Sequence, residues 1–432
     1  MESSEMLRNF IDFFHNKKIP YVILGDTRKL PEKIDGDIDF STHFNEKETS
    51  IFIFNFCKLY DLKLIQVLQH EHTANCYIIT SNNIFIDIDI CSDFYRNNIK
   101  YIESKELIKS KINHEGGFYI SNPPVAFIYY FLKRFGKGDV SEKNLEYLKK
   151  QWQIDSEKCQ IYLKKYFNHS NCSLITGAFN NSDFTQLLKL KEQVRVDLHN
   201  SKQVQPSLAD KMNEFLRKIK RVLNPTGLHI VVLGMDGSGK SSVLEKVIPA
   251  LAPAFRGTKT VHLRPHLGKT ISTTSVPVTD PHAEPARSFL MSLVKLAYFW
   301  FDYTAGYFLT IKPKLIRSTL VVYDRYFHDM LVDPKRYRFG APLFLARWII
   351  KLTPQPDLII LLNVSAETAQ SRKQEVSFDE STRQAEAYRK LVGSLANGAI
   401  IDANQPLDKV CEDFQDVVIH YLADRTQRRY GQ

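Results

Sequence analysis

The stretch from Gly234 to Ser241 constrains the fold of this chain more than any other part of its sequence. It reads Gly-Met-Asp-Gly-Ser-Gly-Lys-Ser and fits the pattern G-x-x-x-x-G-K-[S/T]. An apolar run precedes it and an amphipathic run follows it, which predicts a strand, a tight turn and a helix in that order. Glycines let consecutive backbone N–H groups point into such a turn, and the helix N-terminus adds positive potential. The stretch therefore predicts a phosphate-binding loop.

Individual residues of this loop have separate expected roles. Lys240 would reach the β- and γ-phosphates of a nucleotide, and the Ser241 hydroxyl would bind Mg²⁺. A chance glycine-rich turn is the alternative, and the flanking strand and helix patterns argue against it. We therefore predict ATP and Mg²⁺ as cofactors. The predicted nucleotide-binding residues are Gly234, Gly237, Ser238, Gly239, Lys240, Ser241 and Ser242.

The second half of the chain alternates apolar runs with helix-length segments. The runs that predict strands are residues 229–234, 260–263, 319–324, 357–364 and 399–403. Continuous apolar runs with this spacing are typical of parallel strands that are buried on both faces. The predicted fold class is α/β, with a P-loop parallel sheet that carries helices on both faces.

The first half has a different pattern, in which alternating strands precede helices, so an α+β domain is predicted there. Between the halves lies a segment that begins polar, contains one amphipathic run and ends at Asn-Pro, as a linker helix does. We therefore predict a first domain at 1–200, a linker helix at 201–226 and the P-loop domain at 227–432. The apolar run at 288–311 is predicted to be a buried helix, because Lys295 and Asp302 interrupt it.

Asp324 and Arg325 lie at the end of the third predicted strand of the P-loop domain. A carboxylate there can bind magnesium or the hydroxyl of an acceptor, and a neighbouring arginine can neutralise charge on a transferring phosphoryl group. A surface Asp-Arg pair is the alternative, and the position beside the phosphate loop favours the functional interpretation.

These motifs, together with residues 354–373, resemble the thymidylate kinase group of P-loop kinases over most of residues 228–421. The resemblance implies that Asp236 faces the acceptor, and that Asp324 and Arg325 serve the acceptor and the transferring phosphate. It also implies a mobile lid that brings arginines onto the phosphates. Arg372 with Lys373 fits that lid best, and Arg383 is a second candidate. The catalytic residues implied are thus Lys240, Asp324, Arg325, Asp236 and Arg372.

The acceptor region departs from this group. Residues 262–270 replace the Arg-Glu-Pro-Gly-Gly stretch of thymidylate kinases, and Arg264 alone corresponds to it. Lys335, Arg336 and Arg338 form a cluster suited to an anionic acceptor, although a solvated basic loop would look the same. We therefore expect phosphotransfer to an acceptor other than dTMP: a sugar, polyol or glycan. The domain resembles thymidylate kinase-like proteins associated with bacterial surface-polysaccharide synthesis. The alternatives are an authentic dTMP or nucleoside monophosphate kinase, and a nucleotide-sensing binding or defence module with little turnover.

A second group of carboxylates lies in the first half of the chain. Asp37 and Asp39 are two residues apart on a predicted strand and share a face, and Asp87 and Asp89 do the same on another. The pattern resembles the polymerase-β-like nucleotidyltransferase fold. That resemblance implies Asp37 and Asp39 as metal ligands with Asp87 or Asp89 as the third, and a second, nucleotidyltransferase activity. Solvent-facing aspartates on an edge strand and an inactive fold kept for binding are the alternatives.

A net charge of +10 suits polyanionic partners, but no Lys/Arg run is long enough for a nucleic-acid tail. We expect a small-molecule or glycan acceptor as partner and no stable nucleic acid complex. Contact with a membrane surface and an oligomeric state stay open. The start of the chain shows no secretory signal and the cysteines occur singly, so a cytoplasmic location without a transmembrane segment is expected.

Overall fold

The computed structural model describes residues 2–34, 36–70, 73–80, 84–96, 99–200, 208–265, 285–374 and 376–430. The chain divides into two compact units, the first made of Met1–Lys220 and Leu422–Gln432 and the second of Arg221–Tyr421. Both divisions fall inside helices. Part of the predicted linker, residues 201–207, and most of the predicted acceptor segment, residues 266–270, lie outside the described residues.

The first unit combines strands and helices, as the alternating patterns of its sequence predict. Its strands are β1 (Val22–Leu24), β2 (Ile38–Ser41), β3 (Lys63–His70), β4 (Thr73–Ile79), β5 (Phe85–Cys91), β6 (Phe94–Arg96), β7 (Ile99–Ile102), β8 (Lys111–Asn113) and β9 (Tyr119–Ser121). Its helices are α1 (Ser3–Asn16), α2 (Glu46–Leu59), α3 (Ser104–Lys109), α4 (Pro123–Lys137), α5 (Glu142–Ile154), α6 (Ser156–Tyr166), α7 (His169–Asn181), α8 (Thr185–Lys189) and α9 (Lys191–Asn200).

Within the described residues, seven strands of the first unit form one mixed sheet in the order β3-β4-β5-β2-β1-β9-β8. The β2–β5 and β1–β9 pairs are parallel and the other pairs are antiparallel. Neighbouring residues of β1 belong to different hydrophobic cores: Ile23 packs with α1 and α2, whereas Val22 packs with the later helices such as α4. Since successive strand residues point to opposite faces, helices cover this sheet on both sides.

The second unit is built on continuous apolar strands joined by helices. Its elements are α10 (Leu208–Leu223, shared with the first unit), β10 (Leu228–Leu233), α11 (Lys240–Leu251), β11 (Gly257–His262), α12 (Phe289–Gly306), α13 (Lys312–Ile316), β12 (Thr319–Asp324), α14 (Asp329–Val332), α15 (Leu343–Lys351), β13 (Leu358–Asn363), α16 (Ala366–Arg372), α17 (Phe378–Gly393), β14 (Gly398–Asp402) and α18 (Leu407–Tyr430, which continues into the first unit). A π-helical turn at Tyr307–Ile311 joins α12 to α13.

Five strands among the described residues of the second unit form a parallel sheet in the order β11-β12-β10-β13-β14. All six residues of the central strand β10 are buried, as the apolar run predicts. The predicted α/β class is thereby confirmed. The order places β12 and β13 beside the strand that leads into the glycine-rich loop, and their carboxyl ends define the site.

The prediction of a buried helix at 288–311 is wrong. One face of α12 is buried, through residues such as Leu296, Phe299 and Tyr303, but other apolar side chains of the same helix are exposed. Lys295 and Asp302, which interrupt the apolar run, point inward instead, because both have partners within the second unit. Among the described residues, no helix is both long and apolar enough to cross a bilayer.

Candidate functional site

The glycine-rich loop follows β10 and closes tightly on its neighbours. Gly234, Gly237 and Gly239 have φ angles of 150°, 82° and 84°, which residues other than glycine rarely adopt. A Cβ on Gly234 would lie 2.9 Å from the Leu362 carbonyl oxygen, and one on Gly237 would lie 2.5 Å from the Ala369 carbonyl oxygen. Close packing against β13 and α16 therefore requires glycine at these positions, in addition to the demands of phosphate binding.

Lys240, at the first position of α11, folds back into this loop. Its Nζ donates to the carbonyl oxygens of Gly234 at 2.9 Å and Met235 at 3.0 Å, and lies 3.4 Å from the Ser238 Oγ. Burial and the nearby charge of Arg325 lower the pKa of Lys240 to about 8. A phosphate anion would offer this ammonium a stronger partner than neutral carbonyl oxygens.

Asp324 ends β12 directly beside the loop, since it pairs with Val232 of β10. Its Oδ2 lies 3.4 Å from the Nδ1 of His262, and its buried Oδ1 has no hydrogen-bond partner among the described residues. Burial acts to raise the pKa of this carboxyl, but the His262 hydrogen bond and the charge of Lys240 outweigh it and hold the pKa below its usual range. An ionised carboxylate with a free oxygen, near the Ser241 hydroxyl in one cavity, fits the hard oxygen ligands that Mg²⁺ prefers.

Arg325 is buried and bridges the loop to the helices behind it. One Nη donates to Asp236 in the loop at 2.5 Å, and the other donates to both carboxylate oxygens of Asp329 at 3.0 and 3.1 Å. The residue has a φ of 69°, an uncommon conformation for a side-chain-bearing residue, and its N–H donates to the Val232 carbonyl at 3.0 Å. Several anchors thus hold this guanidinium in one orientation.

Asp236, which we predicted to face the acceptor, lies between two arginines. It accepts from Arg325 and, at 2.9 Å, from Arg336. Of the basic cluster predicted after β12, Arg336 lines the cavity, Lys335 is exposed, and Arg338 donates to the Pro285 carbonyl. The structure therefore brings one member of that cluster to the site.

Of the predicted lid residues, Arg372 and Lys373 lie near the phosphate loop and Arg383 pairs elsewhere. Arg372, at the end of α16, donates to the Ala403 carbonyl at 3.3 Å, and its Nη1 would be 3.9 Å from a Cβ on Gly239. Lys373 lines the cavity itself. Arg383 pairs with Glu380 and donates to the Val332 carbonyl. The role of Arg372 stays a prediction, and its position beside the loop is compatible with it.

All these groups meet at a cavity of about 820 Å³. One part of its wall is the loop, and another part is α12. The wall also carries cations that lie outside the loop and the Asp-Arg motif. The lining residues are Asp236, Gly237, Gly239, Lys240, Ser241, Ser242, His262, Leu263, Arg264, Arg287, Met291, Val294, Lys295, Tyr298, Phe299, Asp324, Arg325, Arg336, Tyr337 and Lys373.

Sequence reasoning assigned no role to His262, Arg287 or Lys295. The Lys295 ammonium donates to the Tyr337 carbonyl, and burial and the charge of Arg287 lower its pKa to about 8. The sequence could have indicated that Lys295 has a role, because a single lysine in an apolar helix usually has a partner. Arg264 stacks on the rings of Tyr298 and Phe299 at 5.2 and 5.0 Å from their centroids, which fixes its guanidinium plane at the cavity.

The first unit gathers its carboxylates on the sheet face that α4 covers. In the parallel β2–β5 pair, Asp39 lies opposite Asp89, while the adjacent isoleucines point into the other core. The ligand atoms of Asp37, Asp39 and Asp89 lie within 4.8 Å of one another. Of the two alternatives for the third carboxylate, the structure groups Asp89 with the pair. Asp87, the other alternative, lies two residues away on the same face and outside that set.

These carboxylates crowd one another and one lysine. Lys133 of α4 donates to Asp39 and lies 3.8 Å from an oxygen of Asp37. Burial and the charge of Asp37 raise the pKa of Asp87 to about 7, and burial and the charge of Asp39 raise the pKa of Asp89 well above its usual range. Closely spaced carboxylate oxygens of this kind fit the ligands that a divalent cation prefers.

Asp26 occupies the loop after β1 and is neutralised within the unit. Arg28 donates to both its oxygens, at 2.7 and 2.6 Å. Burial acts to raise the pKa of Asp26, but the Arg28 hydrogen bonds outweigh it and lower the pKa. The carboxylate would therefore repel a bound phosphate less than an unpaired aspartate would.

Comparisons with known proteins agree with the geometry of the second unit. Residues 232–414 match the family described as thymidylate kinase. A thymidylate kinase of Leuconostoc mesenteroides subsp. mesenteroides is 27% identical over 230 residues, which cover 47% of this chain and 100% of that protein. A thymidylate kinase of Xanthomonas campestris pv. campestris is 25% identical over 214 residues, covering 47% of this chain and 88% of its own. A probable thymidylate kinase of Pyrobaculum calidifontis is 26% identical over 204 residues, covering 45% and 98%. The C-terminal half therefore contains a thymidylate kinase-like domain, which indicates an ATP-dependent enzyme of the kinase type.

We predict that Lys240→Ala lowers γ-phosphoryl transfer by at least about 100-fold, because one preorganised cation at the transferring phosphate is lost. The measurement is the rate of label transfer from γ-labelled ATP. Lys246→Ala is the matched control, since that lysine lies on the exposed side of the same helix and pairs with Asp408. Equal rates in the two variants would contradict the role of Lys240.

We predict that Gly237→Ala lowers the free energy of unfolding of the second unit by about 1–3 kcal/mol, through its left-handed φ and the 2.5 Å approach to the Ala369 carbonyl. Denaturant unfolding measures it. Gly257→Ala is the control, because its φ is ordinary and an added Cβ has no atom within 4 Å. If both substitutions lower the free energy of unfolding equally, close packing does not explain the glycine at position 237.

Proposed function

We propose that the second unit transfers the γ-phosphoryl group of ATP to a phosphate-bearing acceptor other than dTMP, such as a sugar or glycan phosphate. The observation that carries the proposal is the single cavity in which the phosphate loop meets a second group of cations, Arg264, Arg287, Lys295 and Arg336. The loop and Lys240 account for the nucleotide. The second group lies outside the loop and supplies positive charge for another anion.

The chain's own residues account for most of the transfer. Lys240 would leave its carbonyl partners and donate to the phosphates of ATP, while Arg325 neutralises charge on the transferring group. Ser241 and Asp324 would hold Mg²⁺, which neutralises phosphate charge when bound. A phosphate oxygen of the acceptor attacks the γ-phosphorus as the bond to the bridging oxygen of ADP breaks. Positioning of the reactants and neutralisation of their charge would therefore contribute most to the rate of transfer.

The nature of the acceptor follows from the surroundings of Asp236. A hydroxyl acceptor must lose a proton to a base, but both oxygens of Asp236 accept from arginines. Its oxygens are thus occupied by the two guanidinium groups and are poorly placed to take that proton. A phosphomonoester oxygen is already anionic and needs no base. The arginines and Lys295 thus favour a phosphate-bearing acceptor over a neutral sugar or polyol.

The relatives named thymidylate kinase favour dTMP as a second candidate for the phosphoryl acceptor. The sequence at 262–265 keeps one cation of the expected stretch, Arg264, and lacks the glutamate that follows the arginine in thymidylate kinases. A direct comparison of acceptors separates the two candidates.

We predict that γ-label from ATP moves to a sugar or glycan phosphate faster than to dTMP, other nucleoside monophosphates or neutral polyols. Lys295→Gln should raise the KM for that acceptor at least about tenfold and leave the KM for ATP unchanged, because it removes one acceptor-side charge. Lys335→Gln is the control, since this exposed lysine does not line the cavity. If dTMP proves the best acceptor, the proposal of a sugar or glycan phosphate is wrong and dTMP takes its place. Tight ATP binding without any acceptor-dependent transfer would overturn both proposals.

We further propose that the first unit performs nucleotidyl transfer. The observation in favour is the group of Asp37, Asp39 and Asp89 beneath α4. Carboxylates so placed would hold divalent cations beside a triphosphate, and Lys133 supplies a fixed positive charge at the same place. In such a transfer a nucleophile attacks the α-phosphorus and pyrophosphate leaves.

We predict that the first unit releases pyrophosphate from a nucleoside triphosphate in the presence of Mg²⁺, and that Asp39→Asn lowers this release at least about 100-fold by removing one ligand. Pyrophosphate release by the full chain measures the reaction, with Lys240→Ala present to silence the second unit. Asp12→Asn, an exposed position on α1, is the control. Nucleotide binding without pyrophosphate release, in every nucleotide tested, would mean a fold kept for binding.

A further inference from the structure

The segment from residue 285 to residue 356 has an unusual distribution of charge. It contains eleven lysines and arginines, four aspartates and no glutamate. Three of the aspartates, Asp302, Asp329 and Asp333, are buried, and the fourth, Asp324, lines the cavity. Within this fully described segment, the charge that reaches the outer surface is therefore positive.

The same segment exposes a stripe of apolar side chains along α12. Leu290 and Phe301 lie about three helical turns apart and are 68% and 57% exposed, and Val294, 56% exposed, lies between them at the edge of the cavity. The stripe continues in the π-helical turn with Phe308 and Leu309, which are 54% and 69% exposed. A helix of a globular protein normally turns such a stripe toward its core, so this one lacks its usual cover among the described residues.

Helix α15 contacts α12 and carries a second stripe. Phe344, Trp348 and Leu352 follow one another at intervals of four residues and are 63%, 68% and 55% exposed. Two helices that contact each other thus each expose large apolar side chains. A patch that combines several large side chains marks an interaction surface and not the scattered exposure that is normal for soluble proteins.

Cations border both stripes. Lys312 and Lys314 follow Leu309 after the end of the α12 stripe, and Arg347 and Lys351 alternate with the exposed residues of α15. The charged residues of α12 itself do not reach this surface, because Lys295 binds the Tyr337 carbonyl and Asp302 pairs with Arg264. The exposed apolar side chains therefore have these four cations, here called the basic rim, beside them in sequence.

We propose that this surface of α12 and α15 docks onto an anionic lipid bilayer, with the two helices lying in the interface. Apolar and aromatic side chains enter the boundary between headgroups and acyl chains, while lysines and arginines meet anionic headgroups. Exposed tryptophan at such a surface fits the preference of this ring for the membrane interface. The proposed attachment is peripheral, with both helices on the bilayer surface.

Charge also argues against a second copy of the chain as the occupant. In a two-fold symmetric dimer the same patch meets itself. The basic rim would then face an identical basic rim, without exposed carboxylates in this segment to compensate, and like charges across an interface disfavour association. An anionic surface meets the same rim with attraction.

The test uses the full chain and vesicles of phosphatidylcholine with and without phosphatidylserine. We expect cosedimentation with the phosphatidylserine vesicles, at least about tenfold weaker binding to phosphatidylcholine alone, and weaker binding as salt rises. A Phe301→Glu/Trp348→Glu variant should lose at least about tenfold in affinity. Ile161→Glu, at an exposed apolar position on α6 of the first unit, should bind as the unaltered protein does.

Nucleotide binding and thermal unfolding of each variant establish that it is folded. Three results would overturn the proposal: no binding to either vesicle, equal binding to both, or equal loss in the Ile161→Glu control. A stable dimer that dissociates in the Phe301→Glu/Trp348→Glu variant, together with absent vesicle binding, would identify the surface as an interface between copies. None of these readouts depends on the acceptor of the phosphotransfer, so the docking proposal and the proposed function fail separately.

Discussion

The buried carboxylate of Asp329 organises the second unit. It accepts from Arg325, from the Tyr337 hydroxyl at 2.8 Å and from the Tyr388 hydroxyl. Burying an ion pair costs desolvation that only multiple hydrogen bonds offset, and here three side chains from different elements supply them. The other end of Arg325 holds Asp236. One guanidinium thereby connects the phosphate loop, the end of β12 and helix α17, so the geometry of the cavity depends on this pair being intact.

The parallel sheet and the loop were predictable because their signals are local. A run such as β10 is apolar throughout, and the glycines of the loop follow it at fixed spacing. The network behind the loop was not predictable, because Tyr337 and Tyr388 lie far apart in sequence and neither stands in a recognisable pattern. Burial of α12 was predicted wrongly, since apolar composition does not reveal which face of a helix finds a partner.

The carboxylate site of the first unit shows what strand patterns leave undecided. Alternation predicted that Asp87 and Asp89 share a face, and they do. Choosing between them needs the register of β5 against β2, which pairs Asp39 with Asp89 and which no local pattern encodes. Similarly, an unpaired aspartate at position 26 would repel a phosphate, but Arg28 binds Asp26 in the folded unit, a pairing that no strand pattern reveals.

Helix α12 connects the cavity to the exposed surface through one arrangement of its residues. Its charged side chains, Lys295 and Asp302, face inward, where Tyr337 and Arg264 hold them beside the cavity. Inward placement of the charges leaves the outward face to residues such as Leu290 and Phe301, the reverse of the usual helix of a globular protein. The inward charges beside the cavity and the apolar outer stripe are therefore two consequences of one sequence pattern. A substitution that returned a charge to the outer face would not restore an ordinary helix, because the inward charges would keep their partners at the cavity.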